Sequence, residues 1–304
     1  MILTELPDLP PRPETPANAA FRRDFLARWG REHTVVCGQT RLAEYYKVMH
    51  PLSIKMAWGG RELYRLRRRE VHVREGNYLV LNEGEEYGSL LSSEHPVTSF
   101  SLFLRRGFAD QIVAARRLGV EKCLEQSVDA RGGASFSPHL RAHDSHVTPR
   151  MRFIYGRVIA GERDQHWLDE QVVFLLEDLM RAEDAAFART MRLPTTKAST
   201  RAELSRRLRL AADFIESHYE QSLPLEMLAR VACMSTFHFL RFFAMLYGVT
   251  PHAYLIHCRT AAARQMLAAG ITNQELIAER SGFGSRSSLY RALTGRSKAT
   301  GSPH

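Results

Sequence analysis

The spacing of hydrophobic residues changes along the chain, and its first half has the spacing of β-strands. Glycine and asparagine turns separate short apolar runs there, at residues 52–56, 69–73, 78–81 and 97–104. Runs of this length between turn signals are typical of strands. Several short strands in succession predict a small β-barrel or a two-sheet jelly roll between about residues 33 and 108.

The C-terminal third follows the period of an α-helix instead. Near residues 203–219, apolar residues recur three and four positions apart, as on one side of an amphipathic helix. Thr250 followed by Pro251 is typical of a helix start, and Gly270 is typical of a helix end. Thr272 and Glu275 have the spacing of a capping box that begins the next helix.

One pattern occurs twice in this helical region, at residues 229–243 and 278–293. Each copy has a small residue in a first helix, then a tight turn at Cys233 or Gly282, then a short helix that begins with a hydroxyl residue. This is the layout of a helix-turn-helix. Two copies joined by one long helix could present their second helices to one side of duplex DNA, roughly 34 Å apart.

The second helix of each copy has an apolar stripe that predicts its buried side, at Phe239, Phe242 and Phe243 and at Leu289, Ala292 and Leu293. The opposite side is free to contact base edges and phosphates. The candidate DNA-binding residues are Ser235, Thr236, Phe237, His238, Leu240 and Arg241 in the first copy and Arg286, Ser287, Ser288 and Arg291 in the second. The alternative is that Arg241 and Arg291 are only solvated charges or partners of helix ends.

At these residues the chain resembles the DNA-binding domain of AraC/XylS-type transcription regulators. The matching phrases are Leu223-Pro-Leu-Glu-Met-Leu-Ala229, His238-Phe-Leu-Arg-Phe-Phe243, Gly248-Val-Thr-Pro-His-Ala-Tyr254 and Gly282-Phe283 with Leu289-Tyr-Arg291. The resemblance implies a regulator that binds double-stranded promoter DNA, mainly through the first recognition helix. It also implies RNA polymerase as a partner, homodimerisation, and activation as the commoner role.

Three features depart from the pattern of that family. Pro224 replaces the usual Ser or Thr cap, and the apolar Phe237 and Leu240 would contact thymine methyl groups rather than donate hydrogen bonds. Near the C-terminus, Lys298 stands where glycine is expected and Gly301 where proline is expected. We therefore expect the second helix-turn-helix to be less stable than the first.

Composition agrees with a polyanionic partner. The 304 residues carry a formal net charge of +9, and residues 198–304 contribute +6 of it through 13 basic and 7 acidic side chains. Clustered positive charge favours nucleic acid. The four cysteines form no C-x-x-C pair, and no apolar run is long enough to span a membrane. We expect a cytoplasmic, nucleoid-associated bacterial protein without a membrane segment.

The first half resembles the cupin-like sensor domain of the same family, and a small molecule could bind inside it. The candidate ligand-binding residues are Tyr46, Met56, Trp58, Tyr64, His72 and Tyr87. The alternative for each is an ordinary core or surface residue. Tyr87 stands where metal-binding cupins have a ligating histidine, and His139, His143 and His146 beside Asp144 read as a loop, so we expect no metal and no cofactor.

A helix is predicted from about residue 166 to residue 189. Its apolar residues step by four, three and four positions, as in a coiled-coil seam, at Leu168, Val172, Leu175 and Leu179. This stripe could dimerise, or it could pack against the sheet of its own chain.

The predicted architecture is α+β. A Pro-rich arm (1–32) precedes a cupin-like sensor and dimerisation domain with trailing helices (33–190), a linker (191–202) and an all-α double helix-turn-helix domain (203–304). The best interpretation is a DNA-binding transcription regulator whose first half could bind a small-molecule effector. One alternative is that the first half serves only for dimerisation or protein interaction, and another is a cupin enzyme with a DNA-binding tail. The sequence shows no catalytic triad and no nucleotide-binding motif, which disfavours an enzyme.

Overall fold

The computed structural model describes residues 1–7, 15–67, 69–118, 134–137, 139–142, 144–195, 197–268 and 270–294. The chain divides into two compact units, Met1–Ala185 (unit 1) and Ala186–His304 (unit 2). Unit 1 contains the sheet and unit 2 is helical, which confirms the α+β class.

The strands of unit 1 form a mainly antiparallel sheet. They are β1 (Ile2–Leu3), β2 (Thr34–Met49), β3 (Ser53–Trp58), β4 (Arg61–Leu66), β5 (Arg69–Arg74), β6 (Asn77–Leu81), β7 (Glu86–Phe103) and β8 (Leu140–Ala142). The order is β1-β2-β7-β3-β6-β8, with β4 paired to both β5 and β7. The long strand β7 therefore joins the two parts of the sheet, since its first half pairs with β4 and its second half with β3.

Successive side chains of β3 enter two different cores because side chains alternate across a strand. Ile54 and Met56 belong to the core shared with the helices of unit 1, whereas Ala57 belongs to the core on the other face of the sheet. Lys55 also faces that second side, where it lines a cavity.

The helices of unit 1 are α1 (Pro16–Arg28), α2 (Phe108–Leu118), α3 (Val147–Ile159) and α4 (Gln165–Thr190), the last of which continues across the unit boundary. The prediction of a loose N-terminal arm is wrong for Pro16–Arg28. Proline at the first helical position has its backbone angle already suited to a helix, and Thr15 and Asn18 form a capping box.

The predicted dimer seam on α4 lies in the core of unit 1. Leu168, Val172, Leu175 and Leu179 are each at most 1% exposed and pack in the cluster that includes Met151. Their burial within the chain contradicts the seam and favours the alternative, packing of α4 against its own unit. The coiled-coil period arises because one side of a long helix is buried.

Unit 2 consists of α5 (Ala198–His218), α6 (Leu225–Val231), α7 (Thr236–Tyr247), α8 (Pro251–Ala268), α9 (Gln274–Arg280) and α10 (Arg286–Leu293). Phe239 and Phe243 are fully buried in the first core, and Phe242 is half-buried. Thr250 caps α8 as predicted, through the Ala253 N–H. The capping box before α9 is wrong, because Asn273 rather than Thr272 accepts the first backbone N–H groups.

Both helix-turn-helix turns need a left-handed residue. Cys233 has φ +52° and Gly282 has φ +77°. A Cβ atom on Gly282 would lie 2.6 Å from the Tyr219 carbonyl oxygen and 2.9 Å from the Glu220 Cα. Glycine at position 282 is therefore required by both backbone conformation and space, whereas Cys233 bears the conformational strain alone.

We expect opposite effects from two matched substitutions in these turns. Gly282→Ala should destabilise unit 2 by more than about 1 kcal/mol, because it adds a clash to left-handed strain. Cys233→Gly should stabilise it by roughly 0.5 kcal/mol, since the relief of strain slightly exceeds the entropy cost of glycine. All three tryptophans lie in unit 1, so hydrogen exchange of peptides from residues 198–294 in the full chain is the suitable measurement. Equal hydrogen exchange in Gly282→Ala and wild type would contradict the conclusion that position 282 requires glycine.

Candidate nucleic-acid interface and interior cavity

The first recognition helix, α7, begins with a side-chain cap. The Ser235 hydroxyl accepts the His238 backbone N–H and lies 2.9 Å from His238 Nδ1. Serine at this position satisfies an N–H group that the helix itself leaves unpaired. Ser235 and His238 are therefore occupied in fixing the start of the helix, although both remain exposed.

The two faces of α7 differ sharply in burial. Phe239 and Phe243 are fully buried, whereas Phe237 is 70% exposed and Leu240 is 40% exposed. The exposed Arg241 makes no hydrogen bond or ion pair with any residue that the structure describes. Arg241 is therefore not a partner of a helix end, and its guanidinium is available to a ligand.

The second recognition helix, α10, has a similar cap but a more engaged arginine. The Ser285 hydroxyl accepts the Ser288 N–H. Arg291 donates to the Ser287 carbonyl at 3.4 Å and to the Ser288 hydroxyl at 3.3 Å, and Arg286 forms an exposed ion pair with Glu275. These contacts are long or solvent-exposed and hence weak. The sequence analysis missed Tyr290, which is 61% exposed on this helix.

A set of polar contacts holds the elements around the first helix-turn-helix. Arg207 of α5 donates to the Cys233 carbonyl at 3.2 Å, directly in the turn. Arg259 of α8 donates to the Tyr219 carbonyl at 2.7 Å and to the Gln221 carbonyl at 2.8 Å. The hydroxyl of Tyr254 donates to Glu216, a carboxylate that is only 5% exposed. Helix α5 is thus tied to the turn of the first helix-turn-helix, and α8 is tied to the C-terminal end of α5.

Residues 228–300 match a family model described as a helix-turn-helix domain. The chain is 24% identical over 152 residues to the uncharacterized HTH-type transcriptional regulator YbfI of Bacillus subtilis, covering 49% of this chain and 51% of that protein. It is 31% identical over 84 residues to the probable transcriptional regulator LumQ of Photobacterium leiognathi, covering 28% and 34%. The matches thus span about half of the length of YbfI and about a third of the length of LumQ.

Two solved structures show limited likeness. ToxT from Vibrio cholerae aligns with 87% of this chain and 93% of its own at 10% identity and a TM-score of 0.33. The AraC-like transcriptional activator CuxR aligns with 77% and 76% at 12% identity and a TM-score of 0.34. The sequence match shows that the C-terminal unit contains a helix-turn-helix domain.

Unit 1 contains an interior cavity of about 220 Å³ on the side of the sheet that Lys55 faces. Of the predicted ligand-binding residues, Tyr64 and Tyr87 line it. The other four predicted residues do not line this cavity. Tyr46 is 52% exposed, Met56 and Trp58 pack towards the helices on the opposite face, and His72 is not among the lining residues.

The sequence analysis missed the polar lining of the cavity, Lys55, Glu62 and His50. Lys55 is 2% exposed and Glu62 is 5% exposed, and Glu62 accepts a hydrogen bond from the Ser99 hydroxyl at 2.7 Å. A lysine inside the run Leu52–Met56 was the available signal, because a charged residue seldom occurs in a buried strand without a specific role.

Metal binding and membrane insertion find no support in the described part of the chain. There, no three His, Cys, Asp or Glu side chains lie close enough together to hold a metal ion. His143 of the histidine cluster lies outside the described residues. Among the described helices, none is long and apolar enough to cross a membrane.

Two histidines of unit 1, the buried His33 and the half-buried His50, have lowered pKa values. Burial lowers the pKa of His33 to about 4, and its Nδ1 accepts the Arg105 N–H at 3.1 Å. Burial, with the charges of Lys55 and Arg106, lowers the pKa of His50 to about 3. The His50 ring stacks on Tyr87, with the ring centroids 4.5 Å apart. Both imidazoles are therefore neutral in the folded protein near pH 7.

We expect unit 1 to lose stability in mild acid. Unfolded histidine takes up a proton below about pH 6.5, whereas folded His33 and His50 do so only near pH 4 and pH 3. The unfolding free energy should therefore be highest above pH 6.5 and fall between pH 6.5 and 4, by up to about 1.4 kcal/mol per pH unit for each histidine. Urea unfolding monitored by tryptophan fluorescence measures it.

The matched variants are His33→Gln and His166→Gln, the latter at an exposed position. The first should flatten the decline and the second should leave it unchanged. A constant unfolding free energy from pH 7 to pH 5 would contradict the assigned pKa values.

Proposed function

We propose that this chain is a sequence-specific DNA-binding transcription regulator of the AraC/XylS type that acts on promoters in the bacterial cytoplasm. The observation that carries the proposal is the pair of recognition helices, each with one apolar face buried and the opposite face exposed, within a domain that matches a helix-turn-helix model. The relatives YbfI and LumQ are both described as transcriptional regulators. Regulation rather than catalysis is therefore the role we assign.

Arg241 is the residue we propose as the main specificity contact. Its guanidinium is exposed and unpaired among the described residues, and a bidentate contact to guanine is the commonest specific contact of arginine in the major groove. Phe237 and Leu240 flank it on the exposed face and provide apolar surface for thymine methyl groups. The second recognition helix would bind its DNA site more weakly than the first, through Arg286, Ser287, Ser288 and Arg291. Both of these arginines first have to leave partners in their own unit.

The remaining parts of the proposal concern partners. We propose that a small-molecule effector occupies the cavity of unit 1, that RNA polymerase is the partner in activation, and that the protein acts as a homodimer. The cavity supports the first of these, since mainly apolar pockets with a few polar groups are typical of ligand sites. If unit 1 serves only for protein interaction, a thermal-shift screen with the full chain should find no ligand that raises its melting temperature.

We expect Arg241→Ala to reduce specific DNA affinity by about 1–3 kcal/mol, because it removes a base contact. Arg291→Ala should have a smaller effect. The control is Arg264→Ala, which replaces an exposed arginine on α8 and should alter only the salt-dependent part of the DNA-binding free energy. Selection of bound genomic fragments with the purified full chain, followed by footprinting at several salt concentrations, provides the measurement.

A footprint over two adjacent major grooves would support both recognition helices. Protection of a single groove, unchanged in Arg291→Ala, would show that only the first helix-turn-helix binds DNA. Binding without sequence preference at every salt concentration would refute the regulator proposal.

A further inference from the structure

The cavity of unit 1 has apolar walls around a small polar floor. Its apolar lining comes from the N-terminal segment, from α1 and from the sheet, through Leu6, Phe25, Trp29, Val36 and Phe103. A ligand inside would contact mainly apolar surface. Such walls favour a largely apolar compound over a sugar, whose hydroxyl groups would lack partners there.

The amine of Lys55 is the unusual group in this cavity. Its nitrogen lies 3.6 Å from the ring centroid of Phe103 and 5.1 Å from that of Tyr87. Among the residues that the structure describes, it forms no hydrogen bond and no ion pair. The two rings offer a cation only partial compensation for the loss of water. The geometry therefore leaves a buried amine with a free lone pair or N–H group directed at the cavity.

Burial also changes the chemistry of this amine. Loss of water lowers the pKa of Lys55 well below its ordinary value, although the charge of Glu62 opposes the shift. A desolvated lysine in an apolar pocket is a nucleophile towards carbonyl carbon, whereas an exposed lysine is protonated and unreactive near pH 7. Lys197 is an exposed lysine in the same chain and serves as the comparison.

Glu62 limits the charge that a ligand can carry. It lines the same cavity, and its side chain is held by the Ser99 hydroxyl at 2.7 Å. An anionic ligand would approach Lys55 and this carboxyl group together, so repulsion from Glu62 would offset attraction to the amine. A neutral electrophile meets no such penalty.

We propose that Lys55 binds an apolar aldehyde or ketone covalently and reversibly, as an imine, and that this carbonyl compound is the effector. This deepens the effector control proposed above and rests on it. The amine nitrogen forms a bond to the carbonyl carbon while the carbonyl π electrons move to oxygen, and a proton passes from nitrogen to that oxygen. The C–O bond then breaks, water leaves with a second proton from nitrogen, and a C=N bond remains. The step needs no oxidant or reductant, and hydrolysis reverses it.

The test traps the imine in the full-length protein. Benzaldehyde and the smaller propanal are added separately near pH 7, sodium borohydride reduces any imine to a stable secondary amine, and mass spectrometry of peptides locates the label. Each unit by which the pKa of Lys55 lies below that of an exposed lysine raises its neutral fraction about tenfold, so Lys55 should carry at least about tenfold more label than Lys197. In urea, where the cavity is lost, the two lysines should be labelled equally.

A second readout uses the apolar variant Lys55→Met. Benzaldehyde should raise the melting temperature of wild type but not of Lys55→Met, and benzyl alcohol, which cannot form an imine, should give no shift that depends on Lys55. Equal labelling of Lys55 and Lys197 in the folded protein with both aldehydes would overturn the proposal. So would an equal Lys55-dependent shift with sodium benzoate, which would indicate an anion site. Neither readout involves DNA, so failure here leaves the promoter-binding proposal untouched.

Discussion

The burial of one face of each recognition helix determines which side chains remain available to DNA. In α7, Phe239 and Phe243 lie one turn apart and are removed from water completely. Burying each aromatic side chain stabilises the fold by about 1.5–3 kcal/mol, which no exposed contact of Arg241 could outweigh. The helix therefore has one rotational setting about its axis, and that setting directs Phe237, Leu240 and Arg241 outward.

Unit 2 was largely predictable from sequence because its signals are local. The helical period, the left-handed turns at Cys233 and Gly282, and the start of α8 at Thr250 and Pro251 each depend on neighbours within a few positions. The start of α9 shows the limit of such signals. Thr272 and Asn273 are adjacent residues of similar capping ability, and the choice of Asn273 depends on backbone geometry that a spacing pattern does not specify.

Unit 1 was predictable as a sheet but not as a site. In β3, both faces of the strand are buried, so the apolar pattern does not distinguish the side of Met56 from the side of Lys55. The same ambiguity affects α4, where a buried stripe of Leu168, Val172, Leu175 and Leu179 has the spacing of a dimer seam. In each case the deciding information is which element packs opposite, and that depends on contacts between residues far apart in the chain.

The Tyr219 carbonyl lies where three parts of unit 2 meet. It follows α5, it accepts the Arg259 side chain of α8, and it sits against the glycine of the second turn, with no room for even a methyl group. The second helix-turn-helix is thus pressed directly against the end of the helix that supports the first. If both recognition helices contact DNA, as proposed, this packing fixes their spacing: two half-sites whose separation differs by a base pair would differ in both translation and rotation relative to the pair of helices.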